Sequence, residues 1–121
     1  VQTIPTSDKF EVKGVAASAL NISDDGRYIL TSTAGDNCVS LFQINQENGE
    51  LTRLFYLPVS GEYPKDAALF PDNKHLVSLN HESNTMTFFR VDYEHNYMVM
   101  NGKELEINQA NCIIFHELPS A

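Results

Sequence analysis

Apolar and polar positions along the chain alternate in short runs, and no segment keeps the three-and-four spacing of an amphipathic helix over ten or more residues. Runs rich in Thr, Val, Ile and Phe are broken by short clusters of Asp, Asn, Gly and Pro, the pattern of strands joined by turns. In the first half the pattern predicts strands over residues 18–23, 28–33, 37–45 and 51–58, with turns at Asp24-Asp25-Gly26 and Glu47-Asn48-Gly49. In the second half it predicts strands over 66–70, 75–80 and 84–92 and a more polar fourth strand over about 97–107. Their turns are Pro71-Asp72-Asn73-Lys74, His81-Glu82-Ser83 and Glu94-His95-Asn96, where Pro and Asn supply the backbone angles a turn needs. Links of two to five residues join antiparallel neighbours, so each half reads as a four-stranded meander.

The two halves are copies. Asp25-Gly26-Arg27-Tyr28-Ile29-Leu30-Thr31 returns 47 residues later as Asp72-Asn73-Lys74-His75-Leu76-Val77-Ser78. The same offset carries Asn37-Cys38-Val39-Ser40-Leu41-Phe42-Gln43-Ile44-Asn45 onto Asn84-Thr85-Met86-Thr87-Phe88-Phe89-Arg90-Val91-Asp92. Turn residues fall on turn residues and apolar on apolar. Meanders repeating at this period are the signature of a β-propeller, with a small β-sandwich as the competing arrangement. The expected fold is therefore all-β, with propeller blades forming part of a ring. Residues 1–14 are expected to hold the outer strand of a preceding blade and a linker, 15–61 one blade and 62–109 the next. Residues 110–121, where Cys112-Ile113-Ile114-Phe115 stand at the offset positions of Lys65-Asp66-Ala67-Ala68, are expected to supply the ring-closing inner strand of a further blade.

Charge narrows the partners. The chain has 8 Lys plus Arg against 16 Asp plus Glu, a net charge of −8. That argues against nucleic acid and against an anionic membrane surface, both of which need clustered cations. No apolar run approaches the roughly 18 residues of a membrane span. The beginning, Val1-Gln2-Thr3-Ile4-Pro5, has neither the basic start nor the long apolar core of a signal peptide. Cys38 and Cys112 lie far apart, and with no export signal they fit a reducing cytoplasm. The absence of an initiator Met and the two-blade content predict a piece of a longer chain. Its expected partners are the missing N-terminal blades, with self-association where those are absent.

A family resemblance follows from these motifs. Tyr63-Pro64-Lys65-Asp66-Ala67-Ala68-Leu69-Phe70-Pro71-Asp72-Asn73-Lys74-His75-Leu76 resembles the blade motif of the lactonase-type seven-bladed propellers, which include 6-phosphogluconolactonases and carboxymuconate-lactonizing enzymes. Leu79-Asn80-His81-Glu82-Ser83-Asn84 and its continuation to Asp92 are similar to the family's next segment. Ile22-Ser23-Asp24-Asp25-Gly26-Arg27-Tyr28 and Asn48-Gly49-Glu50-Leu51-Thr52 resemble the preceding blade, and residues 111–115 the family's last strand. The resemblance would span only the last third of a family member. It implies hydrolysis of a sugar-acid or related lactone, with a lactone or sugar acid as the small-molecule partner. Where family members commonly carry a His this chain has Asn21, and where they carry an Arg it has Thr33; their Pro-Arg is Pro64-Lys65 here. Threonine cannot supply the bidentate anion contact of an arginine, and lysine supplies it only in part. A catalytically silent propeller acting as a binding scaffold is therefore the alternative.

In such a meander the links between second and third strands share a rim with the links between blades, and propellers usually bind ligands there. That rim is expected to hold Asp36, Asn37, Tyr63, Lys65, Asp66, Asn80, His81 and Glu82. A lactone hydrolase needs a base to activate water and a donor or cation for the carbonyl oxygen and any anionic substituent. His81 and Glu82 are the candidate catalytic residues, and Tyr63, Lys65, Asp66 and Asn80 the candidate substrate contacts. Adjacent residues on a strand face opposite ways, so His81 and Glu82 cooperate only from within a loop. The remaining histidines, His75, His95 and His116, have no ligand spacing, and Asp24 and Asp25 suit a tight turn. No metal or other cofactor is expected. Cys38 reads as a small buried side chain, and Phe42, Phe88 and Phe89 as packing between blades.

Overall fold

The computed structural model describes residues 2–6, 16–116 and 118–119, and all regular structure there is β-strand. The first sheet holds β1 (Ala16–Ile22), β2 (Tyr28–Ala34), β3 (Cys38–Ile44) and β4 (Leu51–Pro58) in sequential antiparallel order. The second holds β5 (Pro64–Leu69), β6 (His75–Asn80), β7 (Thr85–Asp92) and β8 (Tyr97–Met100) in the same order. Short β9 (Leu105–Glu106) also pairs with β7. Two consecutive meanders are thus two blades of a propeller.

The fourth strand of the second blade, expected as one run, is broken in two. Met100 pairs with Phe89 and Leu105 with Met86, so four residues stand opposite two. Gly102, at φ 88°, makes the turn that absorbs the excess. Asn101 N still donates to Phe88 O at 2.7 Å. The polar run Asn101-Gly102-Lys103-Glu104 marks the interruption in the sequence.

The blades pack face to face. Leu30, Val39, Leu41 and Phe55 of the first meet Ala67, Leu69, Leu76, Phe89, Val91 and Met98 of the second in one buried cluster. Full burial of each large side chain is worth about 1.5–3 kcal/mol, against about 0.5–1.5 kcal/mol for a hydrogen bond. The seam therefore decides how the blades meet, and the turns adjust it. By the repeat, Leu20 and Ile22 stand where Ala67 and Leu69 stand in the next blade. They lie on the outward face of the first blade and are 62% and 60% exposed. Tyr97 and Val99 of β8 are likewise exposed.

Of the stretch 1–14, only 2–6 are among the described residues, and these form no strand. Gln2 brackets the main chain of Leu51, accepting from its N at 2.7 Å and donating to its O at 2.9 Å. Ser40 Oγ donates to Thr6 O. Residues 111–116 also join no ladder among the described residues. They lie along β5 instead: Phe115 packs against Phe70, with ring centroids 4.7 Å apart, and Ile113 N reaches Asp66.

Candidate functional site

The inner strands β1 and β5 each carry a bulge at the same repeat position. Register slips between Ala17 and Ala19 in β1 and between Pro64 and Asp66 in β5, leaving Ser18 and Lys65 as the extra residues. A bulge re-aims the side chain it inserts. Ser18 Oγ turns to the neighbouring blade and donates to Pro64 O at 2.6 Å. Lys65 at the equivalent place is exposed, beside the start of the inner strand.

Asp66, next along, faces inward and is 8% exposed. Its Oδ1 accepts from Asn21 Nδ2 at 2.8 Å and from Ala67 N at 2.9 Å, while its Oδ2 accepts from Ile113 N at 2.9 Å. One carboxylate ties together three consecutive inner segments. Asn80 is also internal, at 1% exposure. Its Oδ1 accepts from Ser78 Oγ, and its Nδ2 donates to Thr85 Oγ1 and Thr87 Oγ1. Thr87 Oγ1 in turn donates to Val59 O across the seam at 2.6 Å. The side chains of Asp66 and Asn80 are therefore occupied by the scaffold and do not face the rim as free contacts.

His81 and Glu82 do sit in the turn between β6 and β7. Their backbone N–H groups donate to different carbonyls of the inter-blade link, His81 to Tyr63 O (3.0 Å) and Glu82 to Glu62 O (3.2 Å). No hydrogen bond or ion pair joins the two side chains. The half-buried His81 instead places Nδ1 3.4 Å from Ala110 O and its ring centroid 6.3 Å from that of Tyr63. Glu82 is exposed. The structure thus brings Tyr63 and His81 together, keeps Lys65 and Glu82 on the same rim, and withdraws Asp66 and Asn80 beneath it.

Sequence reasoning does not single out Asn84, Gln109 or Ala110, although the repeat contains the signal. Asn37 and Asn84 occupy the same turn position with left-handed backbones, φ 61° and 56°. Asn37 O accepts from Val59 N and its Oδ1 from Tyr63 N; Asn84 O accepts from Ile107 N and its Oδ1 from Gln109 N.

The opposite rim is a clasp. Asn73 Nδ2 donates to Asp25 Oδ2 at 2.7 Å, Tyr93 OH donates to Asn73 O, and the Tyr28 and Tyr93 rings lie 4.9 Å apart. Desolvation opposes ionisation of Asp25, but hydrogen bonds from Ser23, Arg27 N and Asn73 outweigh it and hold its carboxyl below the usual value. Asp72 is held low in the same way, with His75 and Lys74 N outweighing desolvation, and Asp92 mainly by His95. Burial, then Tyr28 and nearby carboxylates, raises the Tyr93 hydroxyl, which stays protonated as a donor. His75 and His95 are thus engaged within their own turns. Among the described residues no three His, Cys, Asp or Glu side chains converge as metal ligands. A small cavity of about 140 Å³, lined by residues of β1, β5 and 113–115, opens near this rim and not at the Tyr63–His81 side.

The family described as "Lactonase, 7-bladed beta-propeller" matches residues 1–115. The chain belongs to this family. It is 31% identical over 96 residues to the 6-phosphogluconolactonase of Formosa agariphila and 26% identical over 98 residues to that of Bacillus subtilis. Those alignments cover 78% and 81% of this chain but 27% and 28% of the relatives. The chain therefore spans under a third of the length of the curated lactonases it matches. Its fold superposes on a periplasmic gluconolactonase of Pseudomonas aeruginosa with a TM-score of 0.77 at 24% identity, covering 87% of this chain and 29% of that one. Among the described residues no helix is long and apolar enough to cross a membrane. Because one lactonase neighbour is periplasmic, family membership does not fix the compartment as the cytoplasm.

At the positions where the lactonase resemblance leads one to look for His and Arg, the structure shows different employment. Asn21 Nδ2 bridges Asp66 Oδ1 and Ala67 O. Thr33 is buried at 1% exposure with its Oγ1 unpartnered.

Proposed function

We propose that the propeller carrying these blades hydrolyses a sugar-acid lactone, and that Tyr63, Lys65, His81 and Glu82 are this chain's share of its site. The observation that carries the reading is the lactonase-family match over residues 1–115. The rim supports it with an imidazole, a carboxylate, an ammonium and an aromatic ring within two adjacent links. In hydrolysis, water adds to the lactone carbonyl while a base takes its proton. The resulting oxyanion then collapses, and the ring C–O bond breaks to give a hydroxy acid. With Nδ1–H directed at Ala110 O, His81 keeps Nε2 as the proton acceptor. Ala110 O, not Glu82, is what orients it. Lys65, exposed at its bulge, pairs with a phosphate or carboxylate substituent as a point charge. The other blades supply the remaining contacts, so the isolated chain has no turnover.

The test is acid release by the complete propeller supplied with 6-phosphogluconolactone and with gluconolactone, after subtracting the spontaneous rate. We expect turnover that falls at least tenfold in His81→Gln, and a raised KM for the phosphorylated substrate alone in Lys65→Met. Binding without turnover would instead favour the scaffold reading.

A further inference from the structure

We propose that the two inter-blade links form a sugar-recognition lip, in which Asn37 and Asn84 act as matched clamps that present Tyr63 and Gln109 to a polyhydroxylated ring; this rests on the lactone reading above. The two asparagines are equivalent by the repeat and use the same two oxygens, although the residues they hold, Val59 with Tyr63 and Ile107 with Gln109, each stand one place off the 47-residue offset. Each asparagine accepts one link N–H at its main-chain oxygen, from Val59 (3.0 Å) or Ile107 (2.9 Å). Each accepts a second at Oδ1, from Tyr63 N (2.9 Å) or Gln109 N (3.1 Å). In both links the residue so held has a left-handed backbone, Tyr63 at φ 59° and Gln109 at φ 47°.

Large side chains avoid that region, and residues kept there concentrate where geometry serves a ligand. Packing does not account for the strain here. Tyr63 is 39% exposed and Gln109 is exposed, so neither side chain fills a core. His81 joins the two links, bonding Tyr63 O through its N–H and meeting Ala110 O, next to Gln109, through Nδ1.

The chemistry of the pair specifies the ligand class. The electron-rich face of an aromatic ring suits the C–H face of a sugar lactone. A primary amide offers a donor and an acceptor side by side, which matches neighbouring hydroxyls. Neither group prefers an unsubstituted aliphatic lactone. Lys65 would read charge, and the lip would read hydroxyls.

The lip is tested in the complete propeller with gluconolactone against δ-valerolactone, which has the same ring without the hydroxyls. Tyr63→Leu and Gln109→Ala should each raise KM for gluconolactone about tenfold more than they raise KM for δ-valerolactone. Tyr63→Phe should retain wild-type KM. Asn37→Ala should reproduce the Tyr63→Leu effect, and Asn37→Asp, which keeps the acceptor oxygen, should restore it. Tyr63→Gly, which relieves the left-handed backbone, should lose sugar affinity while melting no lower than Tyr63→Leu. Equal effects on the two lactones, or no effect of Tyr63 and Gln109 on either, would overturn the lip. If the wild type turns over no lactone, the hydrolase reading fails by itself, and titration with gluconate decides the lip. Gluconate binding lost in Tyr63→Leu sustains it, and no gluconate binding by the wild type sinks it.

Discussion

A single methyl group at Gly61 tests how the rim is seated on the blade. A Cβ there would overlap the side-chain amide of Asn80 and lie 2.8 Å from the Asn80 Cβ. Asn80 cannot step aside freely, being 1% exposed and bonded to Ser78 at 2.8 Å, Thr87 at 3.0 Å and Thr85 at 3.2 Å. Either the link carrying Tyr63 lifts or the amide leaves its partners. Overpacking of this kind costs about 1–3 kcal/mol, and forfeiting the amide's bonds costs about 0.5–1.5 kcal/mol each. Where the backbone has room, Gly→Ala instead stabilises by about 0.4–1 kcal/mol. The sign of the effect is therefore diagnostic. We expect Gly61→Ala to destabilise the complete propeller by about 2 kcal/mol, read as a lower urea midpoint at unchanged slope. In an Asn80→Gly background, which removes both the amide and the Cβ, most of that cost should vanish, giving a coupling of about 1 kcal/mol or more. A neutral or stabilising Gly61→Ala, or costs that simply add, would refute the reasoning.

Three further outcomes follow from the same contacts. The isolated 121-residue chain should self-associate through its outward blade faces, and Leu20→Lys with Ile22→Lys should shift it toward monomer; sedimentation showing a monomer at every concentration counts against this. Because the Asp25 carboxyl is held below its usual value of 3.8, its hydrogen bonds stabilise the fold fully above that pH and are lost as pH falls through the lowered value. Asp25→Asn should remove that part of the acid dependence, and an unchanged stability profile below about pH 4 would contradict it. Asp66→Ala strips the acceptor from Asn21 Nδ2, Ala67 N and Ile113 N, and unsatisfied buried groups cost about 1–3 kcal/mol each. Amide exchange at Ile113 should become fast while β6 stays protected, and equal protection in the variant would show that Asp66 does not hold this segment.

The meanders were legible because each strand carries its own evidence. Alternation defines a face, and Asp-Asn-Gly-Pro clusters end it, so both signals are local. The repeat added the one long-range fact required, that the two halves are alike and stack. The outer strand was less legible. Residues 97–107 read as one extended run, and only the polar stretch Asn101-Gly102-Lys103-Glu104 betrays the break that lets β8 and β9 share β7. The bulges at Ser18 and Lys65 carry no composition signal at all, since Ser and Lys are ordinary strand-edge residues. They are defined by the register of the partner strand, which sequence does not display.

The site divides along the same line. Rim membership follows from connectivity, so Tyr63, Lys65, His81 and Glu82 could be placed on one edge before any coordinate. Orientation does not follow, because it is set by partners far away in the chain. Asn80 sits one residue before His81, yet pleating turns its amide into the seam toward Thr87 while His81 leaves the strand. Asp66 adjoins Lys65, yet the bulge sends one inward to Asn21 and leaves the other exposed. His81 and Glu82 look like a catalytic pair because they are neighbours, but their turn hands them to different carbonyls, and the group that orients the imidazole lies 29 residues on, at Ala110. Adjacency in sequence is thus a poor guide at the rim of a blade. The better guide is the repeat offset: it maps Asn37 onto Asn84 and, within one residue, Tyr63 onto Gln109, and so finds the framework that two neighbouring links build around one histidine.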